Sequence, residues 1–211
     1  MKKQSLFLIA MLLMIGVVNS SNAQLSFGGG AHTGLSFAAF PKAIKDFYGM
    51  GIGFGAQGDM NIIKYIAIRL NFDYHSFASD KEKIKQLLAA QNGVNAGDLD
   101  VSGLNASIVG ITVNGLGKIP TGSMVTPYGV IGFGIHIASA SDFKVKYQGQ
   151  DQNVGLTGLG SDTNFGINFG AGAEFKLAAI KLYADFKYVL VFSKGESTGH
   201  LPFTVGVSLG G

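Results

Sequence analysis

A glycine-rich run in the first third of the chain has the spacing of a dinucleotide-binding motif. Residues 53–58 fit G-x-G-x-x-G, and Asp80 follows about 20 residues later. Such a motif binds a pyrophosphate only where a strand turns into a helix, because the helix amides then point at the ligand. Here the glycines continue an alternation that begins at Gly49, and residues 61–64 lead into another strand-like segment. We therefore expect no nucleotide cofactor.

The histidines suggest a metal site at first sight. His32, His75 and His136 share the polar face of their segments, and three imidazoles can hold zinc if they converge within about 2.1 Å of one ion. However, His32 and His136 fall in mid-segment, His75 falls near a segment end, and the segments are not all neighbours. We expect polar packing rather than a metal site. The chain has no cysteine, which excludes thiolate ligands and a cysteine nucleophile.

Two serine–histidine combinations could form a nucleophile and its base. His75 and Ser76 are adjacent, so on a strand their side chains point to opposite faces. His32 and Ser36 share a face but are about 13 Å apart along a strand. Neither combination can form the required hydrogen bond, and we predict no catalytic residue.

The segments that carry these residues alternate between apolar and polar positions with period 2, which is typical of strands with two different faces. Most are longer than the roughly 9–11 residues that cross a membrane as a β-strand. We predict eight such strands, at 24–38, 49–61, 65–77, 104–115, 125–140, 163–176, 180–192 and 201–209.

The connections between the predicted strands alternate in length. Short connections fall at 62–64, 116–124 and 177–179, and long ones fall at 39–48, 78–103, 141–162 and 193–200. This pattern predicts an all-β fold: an eight-stranded antiparallel up-and-down transmembrane β-barrel with short periplasmic turns and longer extracellular loops.

The longest loop contains a capping-box pattern. Ser79 as N-cap and Glu82 three residues later predict a short helix that ends near Ala90, with an apolar stripe at Ile84, Leu87 and Leu88. We favour a loop that folds its own apolar residues inward. The alternative is an adhesive element or lid over the barrel mouth.

The charged residues of the strands all fall on the face opposite the apolar one. In a soluble sandwich that face would be hydrated, whereas in a barrel it lines the lumen. Its richness in glycine favours a narrow barrel interior. We predict a polar network in the lumen, with a hydrated lumen as the alternative. Its members are Asp59, Arg69, Asp73, Glu174, Lys181, Asp185 and Lys187.

Hairpin geometry predicts some contacts within this network. If the lumen-facing residues of the two strands are paired across the turn at 177–179, Lys176 lies opposite Lys181 and Glu174 lies opposite Tyr183. Glu174 and Lys181 are then diagonal neighbours, and we expect them to pair. In the hairpin at 62–64, Gln57 is expected opposite Arg69. Arg69 would then pair with Asp59 on the diagonal or with Asp73 on its own strand.

The N-terminus reads as a secretory signal peptide over residues 1–23. Lys2 and Lys3 precede an apolar run at 6–18, and Ala23 ends a small-residue cleavage site. The run is shorter than the roughly 20 residues of a membrane-spanning helix, although an uncleaved anchor is the alternative. The mature barrel domain, 24–211, has 14 basic residues (16 minus Lys2 and Lys3) and 13 acidic ones. This balance predicts no nucleic-acid partner.

The eight strands, the signal and the glycine-rich inner face resemble small outer-membrane β-barrels of the OmpA and OmpX type. The run GMGIGFGAQGDMNIIKYIAIRLNFDYHSF looks like the barrel domain of PorT-like surface proteins.

The resemblance implies residence in the outer membrane, with its lipid and the barrel-assembly machinery as partners. It implies a structural or surface-interaction role carried by the loops. A narrow pore or a lipid-modifying enzyme is the alternative. Such barrels usually end in an aromatic residue. The last five residues of this chain, Val207-Ser208-Leu209-Gly210-Gly211, include none.

Overall fold

A computed structural model describes residues 25–41, 47–152, 161–178, 180–193 and 197–210. Within these residues, eight long strands form the barrel, and three short strands, one helix of twelve residues and a 3₁₀ turn lie in its loops. The barrel strands are β1 (Ser26–Phe40), β2 (Tyr48–Ile63), β3 (Ile66–Ser79), β5 (Ala106–Lys118), β6 (Val125–Ala140), β9 (Asp162–Leu177), β10 (Ile180–Phe192) and β11 (Thr198–Gly210).

The barrel closes completely. Each long strand pairs antiparallel with the next, and β11 pairs back onto β1, so the ring has no free edge. This confirms the predicted fold. All eight predicted segments are strands, although β11 begins earlier than predicted, at Thr198, and thereby takes in His200.

The period-2 pattern corresponds to the two walls of the barrel. On β3, Leu70 and Phe72 are 53% and 49% exposed on the outer wall, whereas Arg69 and Asn71 are 2% and 1% exposed inside. An outer apolar wall and a polar interior are the reverse of a water-soluble barrel and are typical of membrane barrels. Among the described residues, no helix is long and apolar enough to cross a membrane.

The two longest loops fold together into a small unit outside the barrel, which we call the loop subdomain. It consists of helix α1 (Lys81–Asn92), a 3₁₀ turn (Ala96–Asp98) and a three-stranded sheet of β4 (Leu99–Ser102), β7 (Lys144–Tyr147) and β8 (Gln150–Gln152). It has its own hydrophobic core. The buried core residues are Ile84, Ala89, Leu99, Val101, Phe143 and Val145.

The predicted helix is present, but the predicted N-cap is wrong by one residue. Asp80, not Ser79, caps α1: its carboxylate accepts a hydrogen bond from the Lys83 amide at 3.1 Å. Ser79 remains in β3, where its hydroxyl donates to the Gly103 carbonyl at 2.9 Å. The sequence pattern could not show that the strand extends to this residue. The predicted signal peptide at 1–23 lies outside the described residues.

Candidate functional site: the polar interior of the barrel

The turn between β2 and β3 sets which lumen residues meet. β2 continues to Ile63, and Ile63 pairs with Ile66 across the turn residues Lys64 and Tyr65. The predicted facing of Gln57 and Arg69 is therefore wrong, because the turn is tighter than assumed. Asp59 lies directly opposite Arg69 instead. The predicted facing of Glu174 with Tyr183 and of Lys176 with Lys181 is confirmed.

Arg69 bridges the lumen from one wall to the other. Its Nε donates to Asp59 on the adjacent strand at 2.6 Å, and its Nη1 donates to Asp185 at 3.3 Å. β3 and β10 lie four positions apart in the ring of eight, so Arg69 and Asp185 stand on opposite walls. The guanidinium carbon also lies 5.5 Å and 5.0 Å from the ring centroids of Tyr128 and Tyr183. These contacts hold the guanidinium across the centre of the barrel.

Two further residues complete this group, which we call the Arg69 cluster (Asp59, Arg69, Tyr128, Glu174 and Asp185). The Tyr128 hydroxyl donates to Asp185, and the second Arg69 terminal nitrogen donates to Glu174 at 3.4 Å. Three carboxylates therefore surround one guanidinium. A buried charge of this kind is costly unless it is paired, which explains why the acids and the arginine lie together.

The predicted Glu174–Lys181 pair is wrong. The second oxygen of Glu174 accepts from Lys118 at 3.0 Å, and Lys118 also donates to Asn61 at 2.8 Å. Among the described residues, Lys181 forms no ion pair. Lys118 was missed because the predicted strand ended at residue 115, whereas β5 continues to Lys118.

A second polar group lies beside the Arg69 cluster. His32 contacts Asp73 at 2.7 Å through Nε2 and the Tyr183 hydroxyl at 3.0 Å through Nδ1. Asp73 was one of the two carboxylates predicted to pair with Arg69. It pairs with His32 instead. Tyr183 links this pair to the arginine because its ring also contacts the guanidinium.

The other three histidines converge nearer the long-loop end of the barrel. His75 and His200 stack with ring centroids 5.2 Å apart, and His136 lines the same small enclosed cavity of about 10 Å³. Lys187 and Asp73 also line this cavity. Of the three histidines considered as metal ligands, His75 and His136 line one cavity, because the lumen is narrow enough for side chains of non-neighbouring strands to meet, whereas His32 pairs with Asp73. No group of three or more potential ligands among the described residues is arranged to hold a metal ion.

Ser36 and His75 form a serine–histidine pair that the sequence did not indicate. The Ser36 hydroxyl lies 2.7 Å from His75 Nδ1, although β2 separates their strands in the ring. Glycine makes this possible, because a Cβ at Gly53 of β2 would meet His75 Nδ1 and would lie 2.9 Å from His75 Cε1. Ser36 is 0% exposed, so its hydroxyl is enclosed.

The glycine motif at 53–58 lies in the middle of β2 and opens no helix. Gly55 faces the lumen beside His32, whose Cε1 would lie 2.8 Å from an added Cβ. The glycines therefore provide room for interior side chains of the barrel.

A closed ring with an apolar outer wall and a charged interior defines a membrane-spanning β-barrel. Residues 7–209 match the sequence profile of the outer membrane protein beta-barrel domain, and the chain belongs to this family. It is accordingly a protein of the outer membrane. No curated protein sequence matches the chain.

Solved outer-membrane barrels have a similar fold. Neisserial surface protein A is 12% identical with a TM-score of 0.53, over 88% of this chain and 96% of that chain. The attachment invasion locus protein Ail of Yersinia pestis is 14% identical with a TM-score of 0.46, over 90% and 99%. The N-terminal barrel of Pseudomonas aeruginosa OprF is 10% identical with a TM-score of 0.44, over 90% and 100%. At these identities the likeness concerns the fold alone.

Proposed function

We propose that this barrel anchors the loop subdomain at the cell surface, where the subdomain interacts with an extracellular partner. The observation that carries the proposal is the hydrophobic core that the two longest loops share. Val101 of β4 and Val145 of β7 are 2% and 4% exposed, although both belong to loops. Loops with their own core present a fixed surface, and binding residues are commonly found on loops held by a rigid scaffold.

The exposed side of the loop subdomain is polar and carries both signs of charge. The outward positions of its sheet include Asp100, Lys144 and Lys146, and Lys146 lies 3.5 Å from Asp151. This mixture of signs does not favour a polyanion site. We place this end outside the cell, with the tight turns in the periplasm.

A pore is the second candidate, and the Arg69 cluster argues against it. A guanidinium that contacts both walls of the ring leaves little room for solute or ions at its level. Catalysis is disfavoured because Ser36, the one serine of the described ranges whose hydroxyl lies beside a histidine nitrogen, is enclosed and offers a substrate no access. We therefore propose a non-catalytic role.

The proposal is tested with a loop-replacement variant in which short glycine–serine turns replace residues 80–104 and 142–161. Both forms are displayed on a gram-negative host, and adhesion of the cells is measured on collagen and fibronectin coatings, with a sulfated-glycan coating as the polyanion control. We expect the full chain to increase adhesion to at least one of the two protein coatings and the variant to lose it. Slower gel migration of boiled than of unboiled protein shows that each barrel is intact. Equal adhesion by both forms would refute the role of the loops.

A further inference from the structure

The end of the barrel nearest the long loops contains a blind cavity of about 310 Å³, which we call the mouth cavity. Seven of the eight barrel strands contribute residues to its wall. After the eighth, β10, the next residue, Ser193, also lines it. Its volume lies within the range of small-molecule sites, roughly 300–1,000 Å³. The cavity is therefore a feature of the barrel itself and is independent of the proposed surface role.

The wall of the mouth cavity is mainly apolar. Four alanines, at 38, 106, 138 and 140, and Ile108 line it together with the rings of Tyr48 and Phe77. This chemistry suits an apolar ring or a short hydrocarbon chain. The apolar stretch selects the ring or chain of a ligand. The polar residues of the lining are Ser107, Ser139, Asp162, Asn164, Ser193, Thr198 and His200. Because Asp162 carries a negative charge, an anionic head group is favoured only away from it, on the side of His200.

The floor of the mouth cavity is polar and rich in hydrogen-bond donors. His200, which is 4% exposed, forms part of the floor and also lines the enclosed cavity of about 10 Å³ beneath it. That lower cavity has room for roughly one water molecule or one ligand oxygen. Two further residues of the lower cavity, His136 and Lys187, are 4% and 5% exposed.

One residue of the lower cavity lacks a hydrogen-bond partner. Neither ring nitrogen of His136 is paired, although buried polar groups nearly always are. The Lys187 ammonium forms no ion pair among the described residues, although its charge attracts the carboxylate of Asp73, which pairs with His32. His136 thus offers a ring nitrogen that remains to be satisfied beside the positive charge of Lys187, and an anionic acceptor matches both.

We infer that the mouth cavity binds a small amphiphile with an apolar ring or short chain and a carboxylate head. The apolar part lies against Phe77 and the alanine wall. The carboxylate accepts from His200, and one oxygen or a bridging water in the lower cavity reaches His136 and Lys187. The negative charge of the head complements Lys187.

The inference is tested by NMR on the full mature chain in lipid nanodiscs, with ¹³C-labelled alanine methyl groups. The probes are 2-naphthoate and its neutral counterpart 2-naphthalenemethanol. We expect saturable shift changes at Ala106, Ala138 and Ala140, with naphthoate binding at least tenfold tighter. Ala56 and Ala171 on the lipid-facing wall serve as controls, because they report probe that only dissolves in lipid.

Two variants separate the wall from the floor. His200→Phe keeps an aromatic ring but removes the donor, and should weaken naphthoate binding at least tenfold and naphthalenemethanol binding by a much smaller factor. Ala138→Phe fills the cavity and should abolish binding of both probes. Equal affinity for the two probes in the unmodified chain would overturn the carboxylate preference. Shift changes without saturation, or shift changes as large at Ala56 as at Ala138, would overturn the site.

Discussion

Replacing Arg69 by methionine perturbs the centre of the barrel while keeping most of the side-chain volume. The guanidinium lies 2.6 Å from Asp59, 3.3 Å from Asp185 and 3.4 Å from Glu174, and the residue is 2% exposed. Removing it leaves three buried carboxylates, of which only Glu174 retains a cationic partner, Lys118. Removing one partner of a buried ion pair typically costs about 3–5 kcal/mol, and we expect a loss of unfolding free energy in that range.

The loss is measured by urea unfolding in lipid vesicles. The chain contains no tryptophan, so far-UV circular dichroism follows the transition. Lys181→Met is the matched control, because it removes a lumen cation that forms no ion pair among the described residues, and should cost less than about 1 kcal/mol. Adding Asp59→Asn and Asp185→Asn to Arg69→Met should recover much of the loss. The two asparagine side chains are neutral, so the buried carboxylate charges that Arg69→Met leaves unpaired at positions 59 and 185 are removed.

Full recovery of the parent's unfolding free energy is not expected from the triple variant, because the lost hydrogen bonds are not restored. A loss below about 1 kcal/mol in Arg69→Met would refute the reasoning, because it would mean that water already hydrates the charges.

Three further predictions concern other parts of the chain. Gly53→Ala should destabilise the barrel by at least about 1 kcal/mol because the added Cβ meets the His75 ring, whereas Gly58→Ala on the same strand has nothing within 4 Å and should be neutral in urea unfolding. Val101→Asp should expose the loop subdomain to protease on intact cells while heat-dependent gel mobility of the barrel stays unchanged. N-terminal sequencing of the mature protein should begin at Gln24, and a start at Met1 would indicate an uncleaved anchor.

The sequence predicted the barrel well because alternation repeats over many residues. An error at one position does not alter the face assigned to a whole strand, and Arg69 and Asp185 were both correctly placed inside. The closed ring then follows from the number of strands and the alternating connection lengths.

Contacts inside the lumen were harder to predict because they depend on turn geometry and strand ends. Ending β2 before Ile63 shifted the expected partner of Arg69 from Asp59 to Gln57. Placing the start of β11 after residue 200 hid the burial of His200.

Contacts across the ring cannot be read from hairpin neighbours at all. Ser36 meets His75 over an intervening strand because that strand carries glycine where the side chains pass. The shared core of the loop subdomain joins residues far apart in the chain, such as Val101 and Val145, and no local pattern indicates that pairing.

Ion conductance in planar lipid bilayers tests the central claim most directly, namely that the Arg69 cluster blocks the lumen and that the barrel therefore acts through its loops and not as a pore. The purified full mature chain is inserted and current is recorded across a range of voltages. The Arg69 cluster predicts no discrete conductance steps from the parent protein. Stable, reproducible conductance steps from the parent, abolished when the barrel is unfolded by boiling, would contradict the claim and favour a pore.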